Sequence, residues 1–127
     1  MKILIVDDSL DIQTFLTFLL QMKGHVCKVC SNGYSATLEI RSADLSVPYD
    51  LYFFDNDMAE RGEGLRFIET LRDMGNRTPV IFMTGEISSA KDDMAKSLGV
   101  FSILHKPFKP SEIETILDKF QNSNPTC

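Results

Sequence analysis

Short apolar runs alternate five times with amphipathic stretches of helical period, and no other feature of this chain limits its fold as strongly. Ile3-Leu4-Ile5-Val6 is a continuous run of leucine and β-branched residues, the pattern of a strand covered on both faces. Over residues 10–23 the period changes. Ile12, Phe15, Leu16, Leu19 and Leu20 recur at helical spacing, with Ser9 placed to cap the start and Gly24 to stop the helix. Residues 26–30, 51–54, 79–83 and 100–104 read as further strands. Residues 34–42, a segment from the glycine-bearing loop 59–64 to about residue 74, residues 88–98, and a final segment from Pro110 or Ser111 read as helices. Strands alternating with helices predict an α/β fold, a parallel sheet with helices on both faces. Right-handed crossovers make the doubly wound arrangement its natural form. One domain over residues 1–121 is expected, with a disordered tail at 122–127.

A chain of 127 residues suits a single core. The formal net charge of −5, with no basic cluster, argues against nucleic acid or an anionic membrane as partner. The apolar start ends after four residues at Asp7 and Asp8, too short for a signal peptide or a membrane span, so a cytoplasmic location is expected. Three cysteines, an odd number, fit that compartment. Cys27 and Cys30 form a C-x-x-C, but on a strand positions i and i+3 point to opposite faces, so structural thiols are expected rather than a metal or redox pair.

The chemistry-bearing residues fall where such a sheet binds ligands. Asp7 and Asp8 follow the first strand, Asp55 ends the third, Thr84 the fourth and Lys106 the fifth. All five are predicted to converge at the carboxyl edge of the sheet. Three carboxylates at one point repel unless a hard cation lies among them, and an oxygen-only donor set suits Mg²⁺. A lysine and a hydroxyl beside them suit the oxygens of a phosphoryl group, so the set points to phosphoryl transfer onto an aspartate.

These residues resemble the receiver domains of bacterial response regulators, single-domain chemotaxis regulators among them. The matching pieces are Ile3-Leu4-Ile5-Val6-Asp7-Asp8, Asp50-Leu51-Tyr52-Phe53-Phe54-Asp55, Val80-Ile81-Phe82-Met83-Thr84-Gly85 and Lys106-Pro107-Phe108. The resemblance implies a flavodoxin-like sheet of strand order 2-1-3-4-5 and phosphorylation of Asp55 by a sensor histidine kinase or histidine phosphotransfer protein. It implies Mg²⁺ held by Asp7, Asp8, Asp55 and the backbone carbonyl of Asp57, with Thr84 and Lys106 on the phosphoryl oxygens. A cis peptide at Lys106–Pro107 and a downstream effector protein belong to the same implication. Four positions depart from the family pattern. Ala59 replaces a proline, the loop from Asp55 to Gly64 is one residue longer, Asp57 adds a carboxylate beside the metal, and Ile103 stands at the switch position in place of an aromatic residue.

Three rival readings fit the residues less well. A flavodoxin-like nucleotide binder would need a Ser/Thr/Gly-rich phosphate loop after the first strand, where Asp7 and Asp8 would instead repel phosphate unless metal is present. A haloacid-dehalogenase-like aspartyl phosphatase would use Asp55-Asn56-Asp57 as its nucleophile motif, but that family places this motif near the start and its acidic pair last. A receiver-like binding module that is never phosphorylated would have no need of an intact Asp55 and Lys106. Asp11 and Asp50 are expected at the surface or in caps, and His25 and His105 at the surface with no partner at metal-binding spacing. Phe15, Phe53, Phe54, Phe67 and Phe82 are assigned to the core. Leu10 and Phe18 lie off the main apolar stripe of the first helix.

Overall fold

A computed structural model describes residues 1–42, 48–58 and 63–123. Among them are five strands, β1 (Lys2–Val6), β2 (Val26–Cys30), β3 (Leu51–Asp55), β4 (Val80–Thr84) and β5 (Ser102–His105). Five helices alternate with the strands: α1 (Leu10–Met22), α2 (Gly33–Ser42), α3 (Glu63–Asp73), α4 (Ser89–Ser97) and α5 (Pro110–Ser123). The order and type match the expectations, with bounds shifted by a residue or two, as helix and strand ends often are. The last helix runs through Ser123, two residues past the expected end of the domain. Residues 59–62 of the longer loop, Ala59 among them, and Cys127 lie outside the described residues.

The strands form one sheet in the order β2-β1-β3-β4-β5, with every pairing parallel. The period of two in each strand sends its side chains to two separate cores. Leu4, Val6, Tyr52, Phe54, Val80 and Phe82 meet Ala36 of α2, Leu65, Ile68 and Leu71 of α3, and Ala95 of α4. Ile3, Ile5, Leu51, Phe53, Ile81 and Met83 meet Leu16 and Leu20 of α1 and Ile113, Ile116, Leu117 and Phe120 of α5. Cys27 and Cys30 divide between the two cores, so the C-x-x-C is not a paired site, and burial pushes both thiols up from their ordinary pKa. Phe53, Phe54 and Phe82 are fully buried, while Phe15 and Phe67 are half-buried against the cores.

The caps set where each strand delivers its last residue. The Ser9 hydroxyl accepts from the Ile12 N–H and the Ser88 hydroxyl from the Lys91 N–H, starting α1 and α4. Gly24, Gly75 and Gly99 follow helices at positive φ, where a side chain would strain the backbone. Asp50 accepts from the Lys2 N–H, fixing the entry to β3 against the start of β1. A buried arginine secures the opposite end. Arg72 of α3 donates to the carbonyls of Leu98, Asn76, Thr78 and Gly99, tying α3 to the C-terminal end of α4.

Candidate phosphoacceptor site

In-register parallel pairing brings the strand ends to one edge. Val6 lies beside Phe54, Asp55 beside Met83, and Thr84 beside His105, so the residues that end or follow β1, β3, β4 and β5 share one corner. Asp7, Asp8 and Asp55 each offer a carboxylate oxygen there, all within 4.8 Å of one another. Asp7 is fully buried and Asp55 is 1% exposed, whereas Asp8 faces solvent. Lys106 bridges the two buried carboxylates, with its Nζ 2.9 Å from Asp7 Oδ2 and 3.1 Å from Asp55 Oδ1. Its peptide with Pro107 is cis.

Around Asp55 most polar atoms are paired, but Asp55 Oδ2 and both side-chain polar atoms of the buried Asn56 are not. Asp55 Oδ1 accepts from the Asp57 N–H at 3.0 Å as well as from Lys106. Asp7 Oδ1 accepts from the Ser9 N–H at 2.8 Å, and the Asp7 carbonyl accepts from the Gln13 side chain. Asp55 Oδ2 is buried with no hydrogen-bond partner. A buried anionic oxygen left unpaired is costly, and its two carboxylate neighbours offer only more negative charge. The donor set therefore fits a hard divalent cation: three carboxylates, oxygen atoms only, one of them orphaned.

The charges shift one another in line with this crowding. Burial, reinforced by the Asp7 carboxylate, pushes Asp55 up to about 6, against the pull of the Asp57 N–H and Lys106. Burial of Lys106 favours its neutral form, but its contacts with Asp7 and Asp55 outweigh that and hold its pKa above the ordinary value.

Thr84 is buried at the end of β4, where its hydroxyl accepts from the Glu86 N–H at 3.1 Å. Ile103 lies in β5, half-buried against the core that contains Phe82 and Ala95. Asp57 is half-buried, and its Oδ2 accepts from the Gly85 N–H at 3.0 Å. His105 is exposed and bonds Asp92, while His25 bonds the N-terminal amine. Two residues acquire a role only in the structure. Gln13 of α1 holds the Asp7 backbone, and Gly64 packs directly on the Asp55 backbone. A glycine in the first turn of a helix is the one sequence signal that marks such a close approach.

The model of the response regulator receiver domain matches residues 3–118. The chain belongs to this family. Its receiver domain is 30% identical over 132 residues to "Probable histidine kinase 2" of Oryza sativa subsp. indica, covering 93% of this chain and 12% of that protein. It is 29% identical over 112 residues to the alkaline phosphatase synthesis transcriptional regulatory protein PhoP of Bacillus subtilis, covering 88% of this chain and 45% of that one. Among solved structures, chemotaxis protein CheY4 of Vibrio cholerae is 29% identical with a TM-score of 0.78, over 95% of this chain and 96% of that one. This receiver domain thus spans less than half the length of both curated relatives. Its family is that of a signalling module of two-component systems, and neither the phosphatase nor the unphosphorylated binding-module alternative is favoured. No helix among the described residues is long and apolar enough to cross a membrane.

Proposed function

We propose that this receiver domain accepts a phosphoryl group on Asp55 from the phosphohistidine of a sensor histidine kinase or phosphotransfer protein, in a Mg²⁺-dependent reaction. The observation that carries the reading is the buried, unpartnered Asp55 Oδ2 inside a cluster of three carboxylates that Lys106 only partly neutralises. Asp7, Asp8, Asp55 and the backbone carbonyl of Asp57 would hold the metal. Bound there, Mg²⁺ supplies positive charge that balances the carboxylates and the oxygens of the transferring group.

The residues divide the remaining work. An oxygen of Asp55 attacks phosphorus as the phosphorus–nitrogen bond of the donor breaks, and the departing imidazole keeps the electron pair and takes up a proton. Lys106 is already held at the acceptor by Asp7, so its ammonium meets the incoming oxygens with little reorganisation. The Thr84 hydroxyl, buried at the same edge, gives up its bond to the Glu86 N–H and donates to a phosphoryl oxygen. That movement alters the β4–α4 connection and so the face offered to an effector protein. Ile103 has no ring to follow Thr84 inward, so the rearrangement of the α4–β5–α5 face is smaller than an aromatic switch residue would give. A cytoplasmic location follows from the proposed donor.

Mass spectrometry after incubation with acetyl phosphate, with and without Mg²⁺, tests the assignment. One added phosphoryl group that requires Mg²⁺ and is absent from Asp55→Asn is the expected result. A group that persists in the variant, or that maps to another residue, overturns it.

A further inference from the structure

Asp57 does more than supply a backbone carbonyl. Its own N–H is engaged by Asp55 Oδ1, which fixes the start of the β3–α3 loop. Its carboxylate then reaches across to the β4–α4 loop and accepts from the Gly85 N–H, 28 residues further along the chain. The next donor in that loop, the Glu86 N–H, is taken by the Thr84 hydroxyl. The two backbone donors that follow β4 are therefore both occupied from within, one by each of the residues flanking the acceptor. Bonds from a neutral N–H to a carboxylate are stronger than those between neutral groups.

We propose that the Asp57 carboxylate is a positioning residue that clasps the β4–α4 loop to the acceptor loop, and that the clasp opens when Asp55 is phosphorylated. The inference rests on Asp55 being the acceptor. Phosphorylation replaces the single charge of the Asp55 carboxylate with the charge of a phosphoryl group, a net gain of up to about one negative charge on the residue whose oxygen already holds the Asp57 N–H. The Asp57 carboxylate is repelled, and Gly85 is released to bond elsewhere. In this chain the clasp supplies part of the two-state behaviour for which Ile103 lacks the ring. Nothing in the core depends on the clasp, since Gly85 is exposed and Asp57 half-buried, so variants at Asp57 fold.

Amide NMR of the intact chain separates the possibilities, using Asp57→Asn, which keeps an acceptor oxygen, and Asp57→Ala, which does not. In the unphosphorylated wild type and in Asp57→Asn, the Gly85 amide should exchange about tenfold or more slowly than in Asp57→Ala. Adding beryllofluoride and Mg²⁺ to the wild type should remove that protection. Acetyl phosphate should label Asp57→Ala several-fold faster than Asp57→Asn, because both lack the charge and only one keeps the clasp. Equal Gly85 exchange in the wild type and Asp57→Ala overturns the clasp, and protection that survives beryllofluoride overturns its opening. Mass spectrometry of the same samples reports on Asp55 separately. Absence of label there overturns the acceptor assignment and, with it, the opening, while the exchange comparison in the unphosphorylated proteins still decides the clasp.

Discussion

Gly64, in the first turn of α3, lies so close to Asp55 that the two backbones leave no room for a side chain. A Cβ at Gly64 would stand 2.9 Å from the Asn56 Cα and closer still to the Asp55 carbonyl oxygen. The acceptor strand is thereby pressed against the helix that follows it, and both neighbours are backbone, which cannot rotate away.

Gly64→Ala should therefore force α3 outward and move Asp55. Overpacking of this kind costs about 1–3 kcal/mol. Chemical denaturation should report the loss of stability, and the variant, at a temperature where it is fully folded, should take up phosphoryl groups from acetyl phosphate more slowly. Wild-type stability and rate together would show that the backbone gives way freely here.

Asp55 sets a pH dependence whose sign follows from its raised pKa. Its folded value of about 6 lies above the ordinary 3.8, so folding disfavours the ionised form. The protonated form is favoured in the fold, an advantage fully present below 3.8 and lost as the pH rises through about 6. Without Mg²⁺, Asp55→Asn should be more stable than the wild type at about pH 8, by roughly 1–3 kcal/mol, and the gap should close towards about pH 4. Denaturant titrations in chelator across that range check it.

Lys106 is the only described cation in ion-pair contact with both buried aspartates. Lys106→Met should lower stability by about 1–3 kcal/mol without metal, since two buried carboxylates lose their shared partner. Mg²⁺ should restore more stability to this variant than to the wild type. Thermal melts with and without Mg²⁺ make the comparison, and an equal Mg²⁺ effect on both would argue that Lys106 does not share the charge-balancing role.

Arg72 holds four backbone carbonyls with a single buried guanidinium and no carboxylate partner among the described residues. Arg72→Met should cost about 2–4 kcal/mol by leaving several of these carbonyls unpaired. Arg72→Lys should recover little, because an ammonium cannot span the same fork. Labelling of Asp55 should remain close to wild type in the folded fraction, as Arg72 serves the far end of the sheet.

Leu10 and Phe18, 73% and 66% exposed, lie along α1, which begins three residues after Asp7. With Thr14 between them they form an apolar stripe suited to the helices of a histidine donor. Phe18→Ala and Leu10→Ala should each slow transfer from the cognate phosphohistidine donor roughly tenfold, a typical cost for an interface anchor. Labelling by acetyl phosphate should be unchanged. Equal rates from both donors would remove α1 from the docking surface.

Much of this was legible in the chain itself, for reasons that can be named. The runs at Ile3-Leu4-Ile5-Val6 and Leu51-Tyr52-Phe53-Phe54 identified buried parallel strands, because only a strand covered on both faces is apolar without alternation. Once the elements were in order, the carboxyl ends of the strands named Asp7, Asp8, Asp55, Thr84 and Lys106 together. The side-chain partnerships were not legible in the same way. No local pattern marks Arg72, because its carbonyl partners come from the end of α4 and a loop whose approach depends on packing.

The sequence by itself determined the alternation of elements, the parallel sheet and the edge where the acidic residues gather, since period and turn chemistry act over a few residues and carry that information locally. Only the tertiary structure decided that Asp7 is the buried carboxylate and Asp8 the exposed one, that Lys106 binds both Asp7 and Asp55, and that the Asp57 carboxylate crosses to Gly85. Those contacts join residues 28 to 99 positions apart, and their geometry depends on strand register and on two cores packing at once, which no local pattern encodes.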